Sequence, residues 1–118
     1  MKTVRIGANT VTVSNIYCVA TNYVAHAVEM GSAVSEAPLF FMKPTTAIVP
    51  PGQAIELPDW SQDVHHEVEV VVLIGRDGVD VPREEAISYI SAYAIGLDVT
   101  ARDVQGELKK AGRPWTLS

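Results

Sequence analysis

The chain carries a single cysteine, Cys18, in 118 residues. No intrachain disulfide can form, so a reducing compartment, the cytoplasm, is expected, with Cys18 acting as a small buried hydrophobe inside "NIYCVA". Basic residues are also scarce: nine Lys and Arg stand against 14 Asp and Glu, for a net charge of -5. No basic run is present that could neutralise a row of phosphates, so nucleic acid is not an expected partner. No apolar run approaches the ~20 residues of a membrane-crossing helix, and the opening "MKTVRIGANT" lacks the apolar core of a secretory leader; no membrane association is expected. Repeats, low-complexity tracts and linkers are lacking too. Residues 1–118 therefore read as one domain.

What is present is apolar patterning. Hydrophobic residues make up 47% of the chain and charged residues 19%, a balance that supports a packed core rather than disorder. Val4 and Ile6, then Val11 and Val13, alternate around "GANT" and predict a hairpin, and "NIYCVA" predicts a more deeply buried strand. Asn22 can cap a short helix over "YVAHAVEM", closed by Gly31. "PLFFMKP" predicts a strand stopped by Pro44, and "TTAIV" and "QAIEL" flank a "PPG" turn like the arms of a further β unit. "PDWSQDV" is a polar loop leading into the strand "HHEVEVVVLIG", which the turn "GRDG" ends. Pro82 then opens a helix with Glu84 and Glu85 in its first turn and Ile87 and Ile90 on one face. "YAIGLDVTARD" predicts an apolar strand, followed by a charged loop and "GRPWTLS". Many short strands with two or three helices give a β-rich α+β class with antiparallel or mixed sheet. The ending "RPWTLS" is apolar, as if more structure were to follow, so the fold is expected to be incomplete at its C-terminus.

The acids on the strands are the chemistry-bearing feature. Side chains alternate along a strand, so Glu67 and Glu69 share a face while Val68, Val70, Val72 and Ile74 are expected to point into the core. An exposed face with ordinary acids would alternate in the same way. Asp98 adds a third carboxylate, in a second apolar strand, where it would lose several kcal/mol of solvation without a cation or several donors. Three carboxylates converging from two strands require positive charge between them, and oxygen ligands suit Mg²⁺ better than Zn²⁺. His65 and His66 are weaker ligand candidates. His26 and Glu29, three apart on the expected helix, share a face, so the carboxylate could orient the imidazole; a surface contact would have the same spacing.

Taken together, "NYVAHAVEM", "LFFMKP", "HHEVEVVVLIG", "YAIGLDVTARDVQ" and "PWTLS", in this order and spacing, resemble the fumarylacetoacetate hydrolase family in its small acylpyruvate hydrolase and oxaloacetate decarboxylase-like branch. The resemblance runs from about Asn15 to Ser118 and implies that the chain is the N-terminal part of such a catalytic domain. It implies that Glu67, Glu69 and Asp98 hold Mg²⁺ or Mn²⁺, that His26 and Glu29 form a catalytic dyad, and that Arg102 and Gln105 reach the substrate carboxylate and carbonyl. Lys43 approaches the site by the same analogy. It further implies a homodimer and a short 2-oxo acid substrate, cleaved at a C–C bond by hydrolysis or decarboxylation or isomerised through an enolate. Thr21 stands where many relatives have arginine, and the lysine that follows "PWTL" in relatives would fall beyond Ser118. A non-catalytic chain that keeps the metal cluster or an assembly surface is the alternative. A plain β domain with surface acids would instead leave the three carboxylates apart in space.

Overall fold

The computed structural model describes residues 2–20, 22–23 and 37–118. Its strands form three antiparallel ribbons, and among the described residues no ladder joins one ribbon to another. β1 (Lys2–Ile6) and β2 (Asn9–Val13) form the expected hairpin, with Val4 opposite Val11. Gly7 turns it at φ 59°, a left-handed conformation that a two-residue hairpin loop needs and that glycine adopts without a Cβ clash.

β3 (Ile16–Ala20) pairs with β4 (Leu39–Lys43), setting Cys18 opposite Phe41 and Ile16 opposite Lys43. Both strands lie where the sequence puts them. Ile16, Cys18 and Ala20 are only half-buried, however, and Tyr17 and Val19 are exposed, so β3 is not the deeply buried strand expected. The helix expected over "YVAHAVEM", with His26 and Glu29, lies outside the described residues, as does Thr21.

Residues 44–63 depart from the expected β unit. A single 3-10 turn occupies Thr45–Ala47, and no strand forms on either side of "PPG". Pro50 and Pro51 supply no N–H to a ladder, which discourages pairing there. The turn itself is present, with Gln53 N–H donating to Pro50 O at 3.2 Å.

The longest ribbon is β5 (Val64–Ile74) against β6 (Ile90–Ala101). Between them the helix opened by Pro82 is 3-10 rather than α, over Arg83–Tyr89; Ile87 is exposed and Ile90 already belongs to β6. The Arg76 guanidinium lies 3.8 Å from the Tyr89 ring centroid and donates to Ser88 Oγ, tying the two ends of this connection together. The segment read as a charged loop is a helix, α1 (Arg102–Lys110). Gly106 in its middle weakens the sequence signal, yet Asp103 in the first turn, Lys109 and Lys110 in the last, and Gly112 just beyond at φ 63° are all end signals of a helix.

The tail after α1 bridges two ribbons. Trp115 packs on Phe41 of β4 with ring centroids 5.6 Å apart, and Ser118 O accepts from Ala101 N–H of β6 at 2.7 Å. Val68, Val70, Val72 and Ile74, expected in the core, are exposed instead, as are their cross-strand neighbours Leu97, Ile95 and Tyr93. The side of the β5–β6 ribbon that is covered is the acidic one.

Candidate active site

Register fixes the site. Glu67 is the Cα partner of Asp98, and Glu69 is the partner of Gly96, so these four residues are the corners of one patch on a single face. Three corners carry carboxylates. The fourth carries no side chain, and a Cβ built at Gly96 would lie 2.8 Å from Val71 Cγ2, too close to fit without movement. Glycine therefore lets the Val71 side chain close on the β6 backbone beside Glu69.

β3 and β4 turn Cys18 and Lys43 toward this face. Lys43 Nζ pairs with Asp98 Oδ1, with both side chains largely shielded from solvent. Arg102, the first residue of α1, places Nη2 2.8 Å from Glu67 Oε1, while its Nη1 donates to Gln105 Oε1 at 2.9 Å. The contact to Glu67 is Coulombic without an aligned hydrogen bond, and Glu67 Oε1 is a buried oxygen with no donor directed at it.

Burial pushes the Cys18 thiol above its ordinary value; the Asp98 and Glu69 carboxylates act in the same sense, and Lys43 opposes them. Cys18 is thus a neighbour of the acids and not simply a core hydrophobe. Its position follows from the β3–β4 register, which a single strand pattern does not reveal.

The backbone therefore brings Glu67, Glu69 and Asp98 to one patch, and Lys43, Arg102 and Gln105 surround it. The side chains of Glu67 and Asp98 are taken up by separate cations, and among the described residues no three His, Cys, Asp or Glu side chains are gathered as a metal-holding group. His65 is apart from the patch, with Nε2 2.9 Å from Asp63 Oδ1 on an exposed edge, and His66 is exposed. His26 and Glu29 lie outside the described residues. Residues that the sequence reading did not single out are Gly96, whose place inside a strand is itself a signal of close approach, and Asp103 with Ser61, whose side chains meet at 2.7 Å.

The donor set is nonetheless suited to a hard divalent cation. It offers carboxylate oxygens from adjacent positions and a buried Glu67 oxygen without an aligned donor.

A β-rich α+β fold with a carboxylate patch between two ribbons and flanking Lys and Arg defines the class. Residues 15–118 match the family model described as "Fumarylacetoacetate (FAA) hydrolase C-terminal", and the chain belongs to the fumarylacetoacetate hydrolase family. The matched domain is the family's C-terminal one, which replaces the expectation of an N-terminal part. The chain is 50% identical over 104 residues to the mitochondrial oxaloacetate tautomerase FAHD1 of Rattus norvegicus, covering 88% of this chain and 47% of that protein. It thus spans about half the length of the curated relatives it matches. Among solved structures, the fumarylpyruvate hydrolase of Pseudomonas aeruginosa in complex with Mn²⁺ and pyruvate superposes with a TM-score of 0.85 at 42% identity, over 98% of this chain and 52% of that one. A protein of Oleispira antarctica superposes with a TM-score of 0.90 at 34% identity, over 100% of this chain and 54% of its own.

Proposed function

We propose that the patch binds Mg²⁺ or Mn²⁺ through Glu67, Glu69 and Asp98 and serves chemistry on a short 2-oxo acid. The observation that carries this reading is the four-cornered patch: three carboxylates on neighbouring register positions with glycine at the fourth. The Mn²⁺ and pyruvate held by the P. aeruginosa relative support both parts of it. The ion, when bound, would supply a Lewis acid that draws electron density toward the 2-oxo oxygen.

The chain's own residues do the rest. Arg102 is already turned into the patch and would meet the substrate carboxylate with its planar fork, while Gln105, hydrogen-bonded to it, holds the guanidinium and offers an amide to a carbonyl. Lys43 brings a second positive charge beside Asp98, where negative charge developing on the substrate would be stabilised. His26 would take a proton, from a water in hydrolysis of an acylpyruvate or from C3 in tautomerisation, with Glu29 fixing its tautomer. Tautomerisation is the second reading and is favoured by the 50% identity to an oxaloacetate tautomerase. Either reaction would run in a homodimer, in a reducing compartment such as the cytoplasm.

The test is isothermal titration with Mn²⁺ and Mg²⁺, followed by pyruvate on the loaded protein. Binding of the metal is expected in the unmodified chain and its loss in Glu67→Ala and Asp98→Ala. No heat in the unmodified chain, or unchanged binding in both variants, would overturn the metal site. Assays on acylpyruvates and on the keto–enol conversion of oxaloacetate then separate hydrolysis from tautomerisation.

A further inference from the structure

Arg102 has a long side chain that can sample many rotamers, so pointing its guanidinium at one oxygen requires that its base be held. The structure holds it from both sides. Ser61, Thr100 and Ala101, at 7%, 3% and 3% exposure, are the buried residues of the described chain, and they lie together at the junction of the loop before β5 with the start of α1. Among the described residues, the best-shielded part adjoins Arg102.

The cap residue of α1 is Ala101, whose side chain cannot accept a hydrogen bond. Its place is taken by Asp103. One oxygen of Asp103 accepts from Ser61 Oγ at 2.7 Å and from Val104 N–H at 2.8 Å, and the other accepts from Gln62 N–H at 3.0 Å. The next link runs the same way across the junction, with Arg102 N–H donating to Asp63 O at 2.8 Å. These bonds tie residues 61–63 to the first turn of the helix at Arg102 and at Asp103.

We infer that Asp103 is a positioning residue: with Ser61 and Gln62 it latches the loop ahead of β5 onto α1 and so sets where the Arg102 guanidinium meets a carboxylate. The role for a substrate carboxylate rests on the proposed function, while the latch stands on the hydrogen bonds alone. The hydrogen bond from Ser61, then that from Gln62, holds Asp103 below the usual carboxylate range, which keeps it an acceptor at neutral pH.

The experiment compares the 118-residue chain with Asp103→Asn and Ser61→Ala by two readouts. The first is the Arg102 Nε–Hε signal in NMR, expected to exchange with solvent about tenfold faster in the variants while β5 and β6 amides keep their shifts. The second is pyruvate affinity at saturating Mn²⁺, expected to weaken about tenfold with Mn²⁺ affinity unchanged. An Arg102 signal as protected as in the parent, in a folded variant, overturns the latch. A parallel loss of Mn²⁺ and pyruvate binding also overturns it, because a general loosening of the fold would act on both. If the parent binds no pyruvate yet Arg102 responds to the substitutions, the latch stands and the substrate reading falls. Should Asp103→Asn fail to fold, Ser61→Ala, which removes one bond of the three, decides by the same signal.

Discussion

Gly96 is a point of close approach on the acidic face. With Glu69 opposite and Asp98 two residues along, it adds no side chain to the patch, and Val71 Cγ2 lies where its Cβ would be. Gly96→Val would drive branched carbons into Val71 and displace the neighbouring acid side chains, so metal or pyruvate affinity is expected to fall by at least about tenfold, ~1.4 kcal/mol, with the β5–β6 ladder retained in amide exchange. Affinity unchanged in a folded variant would count against the Gly96–Val71 approach as a determinant of the patch. The acids were legible from the sequence, because alternation within one strand puts Glu67 and Glu69 on one side and Asp98 is conspicuous among apolar neighbours. Gly96 and Cys18 were not, since their place depends on register between strands, which is a non-local property. That Glu67 and Asp98 would each pair with a separate cation was equally hidden, because Lys43 and Arg102 reach them from other elements.

Elements were most readable where a period was long and uninterrupted. β5 and β6, and the hairpin around Gly7, follow from alternation and turn chemistry alone. α1 was missed because Gly106 and a mostly charged sequence mask its short apolar repeat of Val104 and Leu108, and the arms of "PPG" failed as strands for want of donors and of a partner. α1 also depends on acid–base state. The Asp103 carboxyl is held below its ordinary value in the folded chain, so it binds a proton more weakly there than in the unfolded chain. Its stabilising contribution is therefore complete above the usual carboxylate range and is lost as pH falls through the lowered value. Chemical denaturation of the parent and of Asp103→Asn should then give a stability gap at pH 7 that closes at the acid end. A gap independent of pH would assign the loss to shape and not to charge.

At the scale of the molecule, apolar surface is left uncovered. The radius of gyration of 15.7 Å exceeds the ~13.5 Å of a compact domain of this length. Ile95 and Val68, on the outer side of the longest ribbon, are 73% and 64% exposed. The sequence reading put Val68 on one face with Val70, Val72 and Ile74 and expected that face in the core; alternation shows which side chains share a face, while burial depends on what packs against it. Truncations should separate the two sides: Ile95→Thr is expected to change stability by no more than about 0.5 kcal/mol, whereas Phe41→Ala, which loses the Trp115 contact between β4 and the tail, should cost about 2 kcal/mol. Denaturant midpoints check both, and a large loss at Ile95 would show that this face is covered in solution.

The uncovered strip has a calorimetric consequence. Heat capacity rises on unfolding in proportion to the apolar area newly hydrated, and here part of that area is hydrated already. The increment should lie below the ~12–15 cal/mol/K per residue of ordinary domains, giving a flatter temperature profile and a shallower urea slope for the 118-residue chain.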